Sequence, residues 1–309
     1  MIIETNRPWT IVVRDLACLP ELEPLIAARR RVGSVRIAHS LAEGLADADS
    51  VLVVGGDTPE SAILGASDGH RVPVGWICAE RDGVRAFVRA AVELVSRLEC
   101  DLAPGPAILL AQWDDRALHL ADEVERACEI PLYRWSAERV VRRDLLDALR
   151  CGPGVALYLG HALSGGWVGY GGVTAAGLTT RRMHPLGAIL TIACDAAQCN
   201  RSRLSFCDEV VMRGACSAAL GATGKVLHQV NRVLARSIVR ALSKSQTLSE
   251  LLLHMPEDLM RGYRIAGDPA TPLIGAANAI EAASEVYAPA PDELAKPVAA
   301  ARKYWSVPA

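Results

Sequence analysis

Two nearly unbroken apolar runs, Val155-Ala156-Leu157-Tyr158-Leu159 and Ala188-Ile189-Leu190-Thr191-Ile192-Ala193, limit what this chain can become. A strand with one wet face alternates apolar and polar residues. A run that is apolar throughout needs cover on both faces, as a central strand of a parallel sheet has. Shorter β-rich runs alternate with amphipathic stretches along the rest of the chain. The first series reads as strands over 10–13, 35–38, 51–54 and 72–78, with helices over 19–30, 41–45 and 84–98. In the last helix Val84, Phe87, Val88, Ala91, Val92 and Val95 recur at helical spacing. The second series reads as strands over 107–110, 131–135, 155–160, 188–193 and 215–220. Its helices fall over 116–128, 137–150 and 226–242, the last being the longest, and Thr247 is placed to cap another through Glu250. Strand–helix alternation of this kind gives an α/β fold with helical crossovers. Pro104 and Gly105 break the pattern, so 1–104 is expected to form an N-terminal α/β subdomain and 105–288 a second unit. Gly267-Asp268-Pro269 stops regular structure late in that unit, and 289–309 reads as an extended tail.

Composition bounds the function. Apolar residues make up 51% of the 309 and charged residues 22%, enough for a large core and incompatible with global disorder. With two Phe only, that core is aliphatic. The 33 basic and 35 acidic residues leave a net charge of -2, which creates no field for nucleic acid or an anionic membrane. No apolar run reaches the roughly 18 residues that span a bilayer. Glu4 and Arg7 interrupt the N-terminus where an export signal needs an apolar stretch, so a soluble cytoplasmic protein is expected. The nine cysteines, odd in number and without a CxxC pair, fit that compartment.

Ligands of open α/β sheets gather at the carboxyl ends of the strands. After the first apolar run comes Gly160 and then His161; the second ends directly in Cys194, 33 residues later. An imidazole and a thiol delivered to one sheet edge are what nucleophilic cysteine catalysis requires, the thiolate attacking and the imidazole moving the proton. The loop after His161 carries five glycines between Ala162 and Gly172, with Trp167 and Tyr170 as walls of a cleft. The bland alternative is a hairpin whose aromatics shield the core.

The stretches ALYLGHALSGGWVGYGG and GAILTIACDAA, together with Tyr263-Arg264-Ile265-Ala266-Gly267-Asp268-Pro269, resemble the caspase-like (clan CD) cysteine peptidases. Among these the resemblance is to the gingipain-like family, peptidase C25, and it covers about 106–275. It implies a three-layer α/β/α sandwich around a mostly parallel sheet. It also implies an endopeptidase with Cys194 as nucleophile and His161 as general acid/base, acting through a thioester acyl-enzyme. The oxyanion donors it implies are the backbone N–H groups of Cys194 and Ala162; no metal or other cofactor takes part. Ala162 stands where the family usually has Gly, and Asp195 follows Cys194 directly. Gingipain-like enzymes include ones that cleave after Arg or Lys held by an acidic residue. Asp114 and Asp195 are the candidates for that role, while Asp115 is read as the N-cap of the next helix. Partners are then a protein or peptide substrate, with no nucleic acid and no membrane; a homo-oligomer is compatible with the chain. The rival reading is a catalytically inactive caspase-like fold serving as a protein-binding or scaffold module.

Other features carry less. Gly55-Gly56-Asp57 lacks the pattern of a nucleotide loop and reads as a tight turn. Cys194, Cys199, Cys207 and Cys216, with His184 nearby, are spaced unlike zinc ligands. His184 is expected at the surface. Arg29-Arg30-Arg31 reads as a helix end, and Arg139, Arg142 and Arg143 as a solvated face.

Overall fold

The computed structural model describes residues 7–99, 105–130, 132–179, 184–199, 203–276 and 279. Cys100, Pro104, Pro131 and the expected 289–309 tail lie outside the described residues. The strands, in chain order, are β1 (Trp9–Val13), β2 (Val35–Ala38), β3 (Ser50–Val54), β4 (Ile63–Gly65), β5 (Arg71–Ile77), β6 (Ala107–Ala111) and β7 (Leu132–Ser136). There follow β8 (Val155–Leu159), the short β9 (Ala162–Leu163) and β10 (Gly166–Trp167), then β11 (Leu186–Ile192), β12 (Cys216–Ala222) and β13 (Tyr263–Gly267). The helices are α1 (Leu19–Val32), α2 (Leu41–Leu45), α3 (Arg81–Leu98), α4 (Asp115–Ala127) and α5 (Arg142–Leu149). After them come α6 (Ala175–Leu178), α7 (Phe206–Met212), α8 (His228–Leu242), α9 (Leu248–Leu253) and α10 (Glu257–Met260).

One sheet runs through the molecule in the order β2-β1-β3-β5-β13-β12-β11-β8-β6-β7, with β4 paired to β5. Alternate residues of the same strand feed different cores. Ala156 and Tyr158 join the cluster under α1, α3 and α7, whereas Val155, Leu157 and Leu159 join the one under α4, α8 and α9. Cover on both faces is why these strands read as unbroken apolar runs. The result is the expected three-layer sandwich.

The sheet holds a reversal that spacing and composition do not announce. β13 pairs parallel to β5 but antiparallel to β12. All other neighbours along the order are parallel. The first four strands therefore run opposite to the last five, and their carboxyl ends emerge at opposite edges of the sheet. β13 is the seam, and the Gly267-Asp268-Pro269 turn after it is bolted to the first half. Asp268, fully buried, accepts from the Trp9 indole N–H at 2.9 Å, from Arg29 at 2.5 Å and from the Ala270 N–H at 2.9 Å. Arg29 is thus a buried ion-pair partner, and only Arg30 and Arg31 of that triplet present the exposed end of α1.

Helix boundaries moved where backbone donors had other partners. The stretch 137–150 is helical only from Arg142, because the Ala137 N–H bonds the Ala111 carbonyl and those of Arg139 and Val140 fold back on Ser136. α8 starts at His228 because the Val226 N–H is directed at the Cys194 sulfur. Among the described residues the longest helix is α3, at 18 residues against 15 for α8. Thr247 caps α9 as expected, accepting from the Glu250 N–H.

Candidate active site

β8 and β11 lie side by side in parallel register, Leu159 opposite Ile192, with strand axes about 4.8 Å apart. His161 and Cys194 each stand two residues beyond that last pair. The topology therefore sets the two residues past adjacent strand ends on one edge of the sheet. Cys194 is half-buried; its thiol donates to the Val226 carbonyl at 3.7 Å, and the Val226 N–H donates to the sulfur at 3.4 Å. His161 is exposed, and its ring hydrogen-bonds to no described residue.

The backbone of His161 is held from two sides. Its N–H donates to Gln112 Oε1 at 2.7 Å, and its carbonyl accepts from the Tyr158 hydroxyl at 2.8 Å and the Val168 N–H at 2.9 Å. Tyr158 in turn accepts from the Gly169 N–H at 3.1 Å. Burial pushes the Tyr158 hydroxyl above the ordinary phenol range, so it stays a donor. Gly160 makes this packing possible: a Cβ there would lie 2.6 Å from the Gln112 Cβ and 2.7 Å from the Tyr158 hydroxyl. Gln112 and Tyr158 were not singled out from the sequence. Gln112 is the first residue past β6 on the same edge, a signal visible once β6 is known to flank β8.

Two backbone donors point away from the ladder. In the β9–β10 hairpin Ala162 faces Trp167, and the Val168-to-His161 bond beside that pair makes it a non-hydrogen-bonded one. The Ala162 N–H thus has no partner among the described residues, and neither does that of Cys194. Asp195 turns sharply after Cys194 with φ 60°, a left-handed conformation that Asp tolerates better than most residues, while its N–H bonds the Gly224 carbonyl.

The remaining predicted residues are distributed unevenly. Trp167 is 1% exposed, stacked on Tyr158 at 4.6 Å with its indole N–H on Thr191 Oγ1 at 3.0 Å, and it also borders a groove of about 490 Å³. The glycine-rich loop is a hairpin pinned by reciprocal backbone bonds between Trp167 and Val173, and its residues border two clefts. Tyr170, which donates to the Trp135 carbonyl, does reach a cleft of about 630 Å³ with Gln112, Trp113, Val140, Val141 and Arg142. A second groove, about 490 Å³, separates that loop from Gln198, Arg203 and Glu209. Asp114, not Asp115, caps α4: its Oδ1 accepts from the Arg116 and Ala117 N–H groups at 3.0 and 3.1 Å. Its backbone is still extended, as a cap requires, whereas Asp115 is already in the helix. The cap uses one carboxylate oxygen and leaves the other on the sheet edge. His184 sits before β11, at the opposite edge, on Glu93 at 2.9 Å. Cys207 and Cys216 are buried, and among the described residues no cluster of three His, Cys, Asp or Glu is formed.

Below the segment after Cys194 lies a buried ion pair. Arg264 reaches Asp208 at 2.5 Å, Ser205 at 3.1 Å and the Ala197 carbonyl at 2.8 Å. Cys199 turns its sulfur onto the same pair, 3.2 Å from Asp208 and 2.8 Å from Arg264. Burial first, and the Asp208 charge second, push its thiol up to about 11.

The model of peptidase family C25 matches residues 108–274, and the chain belongs to that family. Its fold is similar to that of gingipain R, an Arg-specific cysteine proteinase, at 14% identity and a TM-score of 0.66 over 87% of this chain and 79% of that one. The complex of the Porphyromonas gingivalis RgpB pro- and mature domains matches at 13% identity and 0.64, over 86% and 79%. A further protease structure matches at 11% and 0.63, over 86% and 78%. No curated protein sequence matches. Among the described residues no helix is long and apolar enough to cross a membrane.

Proposed function

We propose that the chain is a cysteine endopeptidase in which Cys194 attacks a peptide carbonyl and His161 moves the proton. The observation that carries this is the register of β8 and β11, which puts both groups two residues past one cross-strand pair. The sulfur of Cys194, its proton passed to His161, bonds the carbonyl carbon, and the negative oxygen rests on the N–H groups of Ala162 and Cys194. Each such donor stabilises the transition state by about 3 kcal/mol. The carbon–nitrogen bond then breaks, and His161 gives its proton to the departing amine. Water bonds the thioester carbon as His161 takes its proton, the carbon–sulfur bond breaks, and His161 returns the proton to sulfur, releasing a carboxylic acid and regenerating the thiol. Asp114, through the oxygen not engaged by α4, and Asp195 are the carboxylates proposed to hold a basic side chain before the cut. The catalytic unit is proposed to be 105–288, in the cytoplasm.

A positional-scanning peptide library tests this. Cleavage should be lost by about ten-thousand-fold in Cys194→Ala and in His161→Ala. An iodoacetamide-type probe should label Cys194 selectively and more slowly in His161→Ala. Cleavage that survives Cys194→Ala overturns the reading. Uniform labelling of exposed thiols would support the scaffold alternative.

A further inference from the structure

We propose that the cleft floored by Tyr170 seats the substrate residue that precedes the basic one before the cut, and that it selects a large apolar side chain there. This rests on the peptidase reading above, with Asp114 as the carboxylate that holds the basic side chain, and adds a specificity site to it. Along the carboxyl edge the strand order β11-β8-β6-β7 sets Cys194, then His161, then Gln112 to Asp114, then Ala137 to Arg142. The acyl half of the substrate is bonded to sulfur at the end of β11. Its basic side chain is held at the end of β6, about 10 Å away at the ordinary strand spacing. That half therefore crosses β8 and runs on toward β7, while the departing half leaves on the other side of the thiol.

Alternation along an extended chain then decides which face each side chain meets. Asp114 caps α4, and Leu120, Ala121 and Val124 of that helix pack in the cluster that contains Leu109 and Leu157. Val140 and Tyr170 belong to the cluster on the other face, with Ile108, Leu110 and Tyr158. The basic side chain thus reaches toward one face of the sheet, and the cleft of about 630 Å³ opens on the other. Successive side chains of an extended peptide point to opposite sides. The residue before the basic one is therefore turned into the cleft, and the residue before that turns away again. The cleft suits an apolar group. Trp113 and Val141, 44% and 63% exposed, line it together with Val140 and Val168. Tyr170 holds φ 59°, a costly conformation for an aromatic residue, and its hydroxyl is spent on the Trp135 carbonyl, so it offers the cleft a ring and no free donor. Gln112 accepts the His161 N–H at 2.7 Å, which fixes this wall in register with the imidazole. Arg142 adds a cation to the lining and disfavours a second basic side chain. The volume falls in the range of sites that enclose a side chain and flanking backbone.

Three internally quenched peptides test this, identical after the cut and reading Gly-Phe-Arg, Phe-Gly-Arg or Gly-Gly-Arg up to it. The wild-type kcat/KM should be highest for Gly-Phe-Arg, by about tenfold over each of the others. Trp113→Ala should bring all three within about twofold of one another. These ratios within one variant do not depend on how much of it is folded. Cys194-dependent cleavage with equal rates for the three peptides, with the advantage on Phe-Gly-Arg, or with the Gly-Phe-Arg advantage unmoved in Trp113→Ala, overturns this inference and leaves the peptidase reading intact. Library peptides cut without a basic residue, while these three are not, would remove the role of Asp114 and this inference with it. Cleavage that persists in Cys194→Ala, or no cleavage of any peptide, removes both readings.

Discussion

The two halves of the sheet are wound alike and end differently. Their strand orders, β2-β1-β3-β5 and β7-β6-β8-β11, are the same path traced twice. The last cross-strand pairs correspond as well: Val54 opposite Ile77 in the first half, Leu159 opposite Ile192 in the second. Two residues past these pairs, the second half places His161 and Cys194, and the first half places Gly56 and Ala79. One residue past the paired ends of β1 and β6, the second half has Gln112 and the first has Arg14. Gln112 accepts the His161 N–H; Arg14 has no acceptor and instead packs its side chain against Gly56. The same winding thus carries different groups at its edge according to a few residues at strand ends. In an α/β sheet the winding sets where chemistry can occur, and the residues just past the strands set whether it does.

The largest effect expected outside the dyad concerns the seam that joins the halves. Asp268 is the single carboxylate under Trp9, Arg29 and the Ala270 N–H. Asp268→Ala leaves the Arg29 guanidinium, 6% exposed, without its counter-charge, a loss of about 3–5 kcal/mol. Chemical denaturation should show it as a lower midpoint. Should the halves be independent units, the variant would unfold in two separate steps; a single shifted transition would tie them into one cooperative body.

Much of this was legible in the sequence, and what was not has a common cause. His161 and Cys194 could be placed because their strands are covered on both faces and so advertise themselves as apolar runs. α3 could be placed because its buried stripe repeats at helical spacing. The reversal at β13 was hidden, since Tyr263–Gly267 is an ordinary short strand and its direction is a property of pairing. The late start of α5 and the role of Gln112 were hidden likewise, because each depends on which distant group a backbone N–H meets. How deeply Trp167 sits was hidden for a related reason: its indole stacks on Tyr158 and donates to Thr191, distant partners that a glycine-rich loop does not announce.

Thiols sharpen the contrast within the second half itself. Cys199 lies five residues past Cys194, yet its sulfur sits on a buried carboxylate, and its pKa is pushed up to about 11. A raised thiol pKa means less thiolate at a given pH. At pH 8 its reactive fraction falls by about a hundredfold relative to an ordinary thiol. Alkylation followed by mass mapping should find Cys199 modified far more slowly than Cys194 at pH 8, the gap narrowing as pH approaches 11. Equal rates at pH 8 would mean the Asp208–Arg264 cluster does not hold that sulfur.

On the proposed peptidase reading Gln112 positions His161, and its replacement is expected to matter less. Gln112→Leu removes the acceptor for the His161 N–H and leaves a wall of similar size. We expect kcat to fall by about tenfold with KM little changed, because one neutral hydrogen bond contributes about 1 kcal/mol. Gln112→Glu, which keeps an acceptor, should recover most of the rate. Equal loss in both variants would point to packing and away from positioning.

The smallest effect is the most informative about the two halves. Writing the dyad onto the first half, as Gly56→His with Ala79→Cys in a Cys194→Ala background, should restore no cleavage. Gly56 has φ +69°, and a Cβ there would meet the Arg14 side chain at 2.9 Å, so the graft should cost about 1–3 kcal/mol. Even when formed, the new imidazole would find Arg14 and Val53 where His161 has Gln112 and Tyr158, and nothing would accept its backbone N–H. Measurable cleavage from this triple variant would show that two strand-end side chains on the shared winding are sufficient. Its absence in a folded protein would show that the second half's site also requires the hydrogen-bonded floor beneath its imidazole.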